Sequence, residues 1–238
     1  MIKKMIRLNR EDFLQSFYLL GGAFALLELV IAGVMVILKP EGGILIAGVF
    51  LLTLHVIFQV AISLSNVMIT YTQAITFSQS RRRALGGALG LSAVQAMFSL
   101  ALVALFALTE RHLMPHLWQN LAGATGYEIA SGGYVFYRNV TGASPLLLDQ
   151  FSLSWVAFPA LTAIGCAAGI ILGTVLLRFG SKGGWTLWAA WMVFMLVFQR
   201  LPWKTHTVTN WLIPALLLAL LAGLAWSVRC LLRIPVKS

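Results

Sequence analysis

The chain has 238 residues, of which 60% are hydrophobic and only 10% are charged, and its mean hydropathy is +0.89. This composition excludes an ordinary soluble globular domain and predicts a protein that lies mostly inside a lipid bilayer. The net charge is +10, but the sequence contains no soluble basic domain that would carry this charge. Nucleic acid is therefore excluded as a partner, and attraction to anionic membrane lipid accounts better for the charge.

Six apolar runs approach or exceed the length of about 20 residues that a membrane-spanning helix needs. In hydrocarbon the backbone must satisfy its own polar groups, so these runs are predicted to be helices. We predict an all-α integral membrane protein with a single transmembrane domain over residues 1–238 and six transmembrane helices. The predicted spans are residues 17–38, 44–65, 85–108, 152–177, 183–198 and 211–232.

Residues 1–16 alternate apolar side chains with basic ones. This pattern predicts an interfacial helix that lies on the inner membrane surface. The alternative is a frayed basic start that only fixes topology. Most lysine and arginine residues lie before helix 1, after helices 2 and 4, and in the tail, so both termini are predicted to be cytoplasmic.

Helices 1 and 2 each carry an ionisable residue near the middle, Glu28 and His55, at similar predicted depth. Gln59 lies one turn from His55 on the same helix face. Polar groups inside a membrane are costly and usually face the bundle interior or water. The functional interpretation is a polar patch in a transport pathway or a proton site. The structural alternative is a neutral Glu–His or Glu–Gln hydrogen bond that locks helices 1 and 2.

The connection between helices 2 and 3, residues 66–83, is polar and contains no proline or glycine before the arginines. It predicts that helix 2 continues into the cytoplasm, followed by a short transverse helix over residues 71–80 and then by Arg81, Arg82 and Arg83. The apolar side chains of Ile75 and Phe77 fall where water is expected, which indicates docking onto a cytoplasmic partner. The alternative is that the arginines only fix topology.

Residues 109–150 form the largest segment outside the predicted spans and contain several aromatics and glycines. They are predicted to be external and to form a small folded cap of short helices or a hairpin. His112 and His116 are four residues apart, but Pro115 lies between them and no third ligand is evident. No metal site is therefore predicted.

Small residues recur at a spacing of four on helix 4, at Gly165, Gly169 and Gly173. This spacing lets helix backbones approach closely in a membrane. The stripe is predicted to face another helix, either in the same subunit or across a dimer, and pore lining is the alternative. Cys166 and Cys230 both lie in predicted helices, where small apolar packing is favoured over a disulfide.

Catalytic signatures are missing from the sequence. It contains no phosphate-binding loop of the G-x-x-x-x-G-K-[ST] type, no H-E-x-x-H and no G-x-S-x-G. The chain is therefore not predicted to be an enzyme, and nucleotide hydrolysis would need a separate protein.

Two short stretches resemble a known family. TFSQSRRR at residues 76–83 is similar to the "fG-x-S-R-K" stretch before helix 3 of type-2 ABC exporter permeases. LRFGSKGGW at residues 177–185 is similar to the "RFGKKG-aromatic" turn between helices 4 and 5 of small bacterial members. Six helices, an interfacial start and a helical 2–3 loop give the same resemblance in topology. In that family the external helices often lie between helices 5 and 6, whereas here the large external segment lies between helices 3 and 4.

The resemblance implies a multi-pass permease in a bacterial plasma membrane. It pairs with a second permease, identical or related, and with two cytoplasmic ABC ATPases that hold the ATP and magnesium, so this chain holds no cofactor. The coupling helix would be residues 71–80, in contact with the ATPase through Ile75, Phe77, Ser80, Arg81 and Arg82. The implied activity is export by alternating access. An amphipathic peptide or lipid-like substrate suits the apolar walls.

Two other functions remain open from the sequence. A proton-coupled or other non-ABC carrier would use Glu28 and His55, although no inverted repeat is visible. A membrane-embedded assembly or sensor subunit would have no transport role.

Overall fold

A computed structural model describes residues 10–77, 79–130, 133–137, 156–200 and 206–233. Within these residues the chain is predominantly helical, as expected for apolar runs whose backbone polar groups must be satisfied within each segment in hydrocarbon. The helices are α1 (Arg10–Leu38), α2 (Ala47–Ser65), α3 (Thr72–Thr76), α4 (Arg81–His112), α5 (Met114–Ala122), α6 (Ala157–Phe179), α7 (Ser181–Arg200) and α8 (His206–Arg233). The strands are β1 (Gly42–Ile44), β2 (Gly126–Ala130) and β3 (Gly133–Tyr137).

Among the described residues, five helical segments are long and apolar enough to cross a membrane. They are Arg10–Leu38, Ala47–Thr76, Arg81–Ala122, Ala157–Phe179 and Pro214–Arg233. The coarse prediction of a helical membrane protein is thereby confirmed. The fifth predicted span, residues 183–198, lies in α7, a helix of 20 residues that is not among the five. A sixth span stays a prediction.

The first helix begins well before the apolar run that predicted it. Residues from Arg10 onward already belong to α1, and they pack on α4. The Gln95 amide donates to the Asp12 carboxylate at 3.2 Å, and the Phe13 and Phe98 rings meet edge to face at 5.3 Å. Residues 10–16 are therefore the first turns of α1 and do not form a separate interfacial helix. Residues 1–9 of that prediction lie outside the described part.

The second helix does not stop at the predicted membrane boundary. A π-helical stretch, Asn66–Tyr71, joins α2 to α3, and the flanking residues Ser65 and Thr72 keep right-handed helical dihedral angles. No proline or glycine interrupts the segment, so no turn forms there. The predicted transverse helix over residues 71–80 is therefore wrong: the helix continues to Thr76 and ends in a turn at Phe77.

Part of the segment predicted as an external cap contains one short helix and a hairpin. The α5 helix ends at Gly123, whose φ of 68° is left-handed and suits a residue without a side chain. The strands β2 and β3 then pair antiparallel. A third strand, β1, comes from the connection after α1 and gives the order β1-β3-β2, with Gly43 opposite Tyr134.

The chain divides into two compact units. The first contains Met1–Val56 and Gln95–Thr162, and the second contains Ile57–Val94 and Ala163–Ser238. In the first unit, the core forms around Leu20, Leu51 and Val103, and a smaller cluster surrounds Trp118. The core of the second unit is built from Val67, Tyr71, Ala84, Leu85, Ala88, Ile170 and Leu231.

Candidate functional site

The candidate coupling segment is the turn that links α3 to α4 in the second unit. The Phe77 side chain is 79% exposed, while Ile75 is half-buried and packs against the core of this unit. Ser80 and Arg82 are exposed, and the Ser80 carbonyl accepts the Ala84 N–H at 2.9 Å. One large apolar side chain therefore projects from a helix end that is otherwise polar and basic.

The same segment is tied to the end of the last helix. The Tyr71 hydroxyl donates to the Leu231 carbonyl, and the Arg81 guanidinium donates to the Leu232 carbonyl at 3.1 Å. Carbonyls in the last turn of a helix have no partner within the helix, so these two side chains satisfy them. The cation also interacts favourably with the negative end of the helix dipole. The segment is thereby hydrogen-bonded to the end of α8 on both sides of Phe77.

Sequence reasoning assigned a role to Arg81 but missed Tyr71. Its side chain is buried, and a buried tyrosine hydroxyl needs a hydrogen-bond partner. The partner lies 160 residues along the chain, so the sequence offers no local signal for it.

The second stretch with a family resemblance also contacts α8. The Arg178 guanidinium lies 2.7 Å from the Cys230 sulfur, 5.3 Å from the centre of the Phe179 ring and 5.8 Å from that of Trp226. Cation–π contacts of this kind hold a guanidinium against aromatic faces. Both stretches singled out from the sequence therefore contact the last two turns of α8.

Glu28 forms neither the Glu–His nor the Glu–Gln hydrogen bond that was the structural interpretation of the polar patch on helices 1 and 2. Both of its carboxylate oxygens are buried and have no hydrogen-bond partner among the described residues. A buried polar group without a partner is costly and calls for an explanation in terms of strain, function or a bound species. Glu28 therefore does not join helices 1 and 2 through a hydrogen bond in this structure.

His55 is fully buried and bonds to a different residue. Its Nε2 lies 3.0 Å from the Thr162 hydroxyl oxygen, and that hydroxyl donates to the Phe158 carbonyl at 2.8 Å. The hydroxyl has only one hydrogen, so its oxygen accepts from His55 and Nε2 carries the proton. The lone pair then lies on Nδ1, which has no partner in the described residues.

Gln59 does link helices, within the second unit. Its amide nitrogen donates to the Ser63 hydroxyl at 3.2 Å and to the Ser92 carbonyl at 3.3 Å. Asn66 adds a bond of 2.9 Å to the Ser92 hydroxyl. These bonds join α2 and its extension to α4, as interhelical polar contacts commonly do in membranes. The amide oxygen of Gln59 has no hydrogen-bond partner among the described residues.

The glycine stripe on α6 faces α2 in the same unit. A Cβ atom added to Gly169 would collide with the Val60 carbonyl oxygen, and it would lie 2.7 Å from the Ser63 side chain. At Gly173 it would lie 3.0 Å from Val67. Gly165 is buried as well. Glycine at 169 is thus required by backbone approach rather than by flexibility.

Glu110 is a buried carboxylate that sequence reasoning missed. It accepts hydrogen bonds from the backbone N–H groups of Ile46 at 2.8 Å and of Ala47 at 2.9 Å. The first N–H groups of a helix have no partner within it, so Glu110 caps the start of α2. The sequence showed a glutamate at a predicted membrane boundary, which gave no reason to expect burial.

The described ranges contain neither a candidate metal site nor a disulfide bond. They contain no group of three or more potential metal-ligating side chains, and His116 bonds to the Tyr127 hydroxyl at 2.9 Å. Cys166 and Cys230 are both free.

Comparison of the chain with protein-family models, with curated proteins and with solved structures finds no match. The family resemblance therefore depends on the two short stretches and the helix pattern described above.

Proposed function

We propose that this chain is the membrane-spanning permease subunit of an ATP-driven exporter of the type-2 ABC class. In this proposal α7 is the sixth span, both termini are cytoplasmic, and residues 109–150 are external. The protein resides in a bacterial plasma membrane and pairs with a second permease, identical or related. Cytoplasmic ATPases supply ATP hydrolysis with their own magnesium.

The observation that carries the proposal is the exposed Phe77 on a helix end that is anchored to two other helices. The Tyr71 and Arg81 contacts connect it to the end of α8, and the turn leads directly into α4. A partner protein that binds Phe77 could therefore move α4 and α8 together as a rigid body. Motion of this kind is what alternating access requires.

The composition of the spanning helices supports the proposed substrate class, an amphipathic peptide or a lipid-like molecule. Their buried residues are mostly hydrophobic, and most of the buried polar side chains among the described residues are neutral. An amphipathic peptide or a lipid-like molecule suits such walls better than a small ion does.

Co-purification tests the proposal. The tagged chain, solubilised gently from its native membrane, is expected to bring with it a cytoplasmic ATPase whose activity is sensitive to the loss of Phe77. A chain that purifies without any nucleotide-hydrolysing subunit, and that transports in proteoliposomes without ATP, would contradict it.

A proton-coupled carrier is the second candidate function. It is favoured by the unpartnered oxygens of Glu28 and the unpartnered Nδ1 of His55, since each of these atoms can accept a proton or a hydrogen bond. The Glu28→Gln experiment described below separates the two functions.

A further inference from the structure

The charge of the molecule is divided unevenly between its two compact units. All seven acidic residues lie in the first unit, together with seven of the seventeen lysine and arginine residues. The other ten basic residues lie in the second unit, which has no acidic residue. The whole net charge of +10 therefore belongs to the second unit, and no basic side chain there has a carboxylate partner within its own unit.

Four of these cations form what we call the basic face: Arg178, Lys182, Arg229 and Arg233. All four side chains are exposed. Arg178 rests against Trp226 and Cys230 of α8, and Arg229 and Arg233 lie one turn apart on the same end of that helix. Lys182 follows Arg178 after the left-handed turn at Gly180, where φ is 59°. The basic face thus gathers charge from the α6–α7 turn and from the end of α8.

Exposed aromatic side chains follow Lys182 on α7. Trp185 is 71% exposed and Trp188 is 57% exposed, and both lie within two turns of Lys182 on α7. Tryptophan is enriched at the level of lipid headgroups, because its ring is apolar and its N–H needs a polar partner. An acidic protein surface would instead meet cations that project into water beyond the membrane. The aromatic neighbours therefore favour lipid as the occupant.

We infer that the basic face binds the phosphate-bearing headgroups of anionic phospholipids. Arg178, Lys182, Arg229 and Arg233 supply the positive charge that complements the headgroups, and the adjacent tryptophans lie against the upper part of the acyl chains. The inference does not depend on the proposed transport function, since it needs only a membrane-embedded helical protein.

The test uses the full chain in a neutral detergent, titrated with mixed micelles of phosphatidylglycerol or of phosphatidylcholine. A lipid that binds the folded state raises the melting temperature, so the lipid concentration at half-maximal shift measures affinity. Phosphatidylglycerol is expected to stabilise the wild type and phosphatidylcholine is not. In K182Q/R229Q each lost cation is expected to weaken phosphatidylglycerol binding roughly fivefold.

The matched control is K39Q/R111Q, which removes the same number of charges from the first unit and is expected to keep wild-type affinity. Both variants are first compared in detergent alone, so that a folding defect is separated from lost binding. The inference is overturned by equal effects of the two lipids, or by equal loss in both variants. Stabilisation by inorganic phosphate alone would assign the face to a soluble anion. Stabilisation by an acidic peptide, without any by phosphatidylglycerol, would assign it to a protein partner.

Discussion

The carboxylate of Glu110 accepts the backbone N–H of Ala47 at 2.9 Å, at the residue where α2 begins. Glu110 is 1% exposed, and its side chain joins the end of α4 to the start of α2 across 63 residues of sequence. A buried carboxylate is expensive unless hydrogen bonds satisfy it. Here the N-terminus of a helix supplies both the donors and a positive dipole end.

Removing this cap is expected to destabilise the first unit. Glu110→Ala leaves the N–H groups of Ile46 and Ala47 without an acceptor and should cost about 2–4 kcal/mol, whereas Glu110→Gln keeps one acceptor oxygen and should cost about half as much. Thermal unfolding in detergent measures both. The control is Glu41→Gln, which changes an exposed carboxylate. If Glu110→Ala is no less stable than this control, Glu110 is not a cap.

Gly169 should tolerate no side chain. Gly169→Ala places a methyl group against the Val60 carbonyl and Ser63, and such overpacking typically costs about 1–3 kcal/mol; Gly169→Leu should abolish correct assembly. The control is Gly90→Ala, because nothing lies within 4 Å of a Cβ atom at that position. Yield and melting temperature are compared. Full stability of Gly169→Leu would mean that this face of α6 does not contact α2.

Phe77 is expected to act in coupling and not in folding. Its side chain is exposed, so Phe77→Ala should leave the melting temperature unchanged while it uncouples export from the partner's ATP hydrolysis. Gln73→Ala, an exposed neighbour on α3, is the matched control. Arg81→Glu should also uncouple, but with lower stability, because it removes a hydrogen bond to Leu232. Normal export with Phe77→Ala would show that the coupling assignment is wrong.

Topology can be tested with single cysteines at two exposed positions, Ser80 and Asn120. The distribution of lysine and arginine predicts that Ser80→Cys is cytoplasmic and that Asn120→Cys is external. A membrane-impermeant maleimide added to intact cells should therefore label only Asn120→Cys, and the unmodified chain gives the background of Cys166 and Cys230. Labelling of Ser80→Cys but not of Asn120→Cys would show that the predicted topology is wrong.

Glu28→Gln separates the two candidate functions. In an ATP-driven exporter the carboxyl is at most a substrate contact, so the variant should still transport in vesicles that contain ATP, with or without an uncoupler. In a proton-coupled carrier the titrating carboxyl is the mechanism, so Glu28→Gln should abolish transport. Transport by the wild type that needs no ATPase and stops with an uncoupler would end the ABC proposal.

The apolar runs predicted the helices because a bilayer makes length and hydropathy decisive. The glycine spacing on α6 likewise predicted a close helix contact, since only small residues permit one, but it could not name α2 as the partner. The local pattern correctly predicted that helix 2 continues beyond residue 65, but it was wrong from residue 71 onward, where the same helix continues to Thr76 and no separate transverse helix forms.

The sequence could not predict the long-range hydrogen bonds of Tyr71 and Glu110. Tyr71 meets a carbonyl 160 residues away, and Glu110 meets backbone groups 63 residues away. Backbone N–H and carbonyl groups occur at every position, so nothing in the residue pattern marks which of them a side chain will reach. The net charge could be counted from the sequence, but its concentration in the second unit could be recognised only after the structure had shown which residues belong to that unit.

The pairing of β1 with β3 constrains the order in which the protein can be built. The Gly42–Ile44 strand emerges directly after the first helix, yet its partner, Gly133–Tyr137, is synthesised only after α4 and α5. Until then β1 presents an unpaired strand edge, the feature through which chains most readily associate wrongly. Closure of the sheet is therefore a late step in biogenesis, and it fastens the loop after α1 once the neighbouring helices have been inserted.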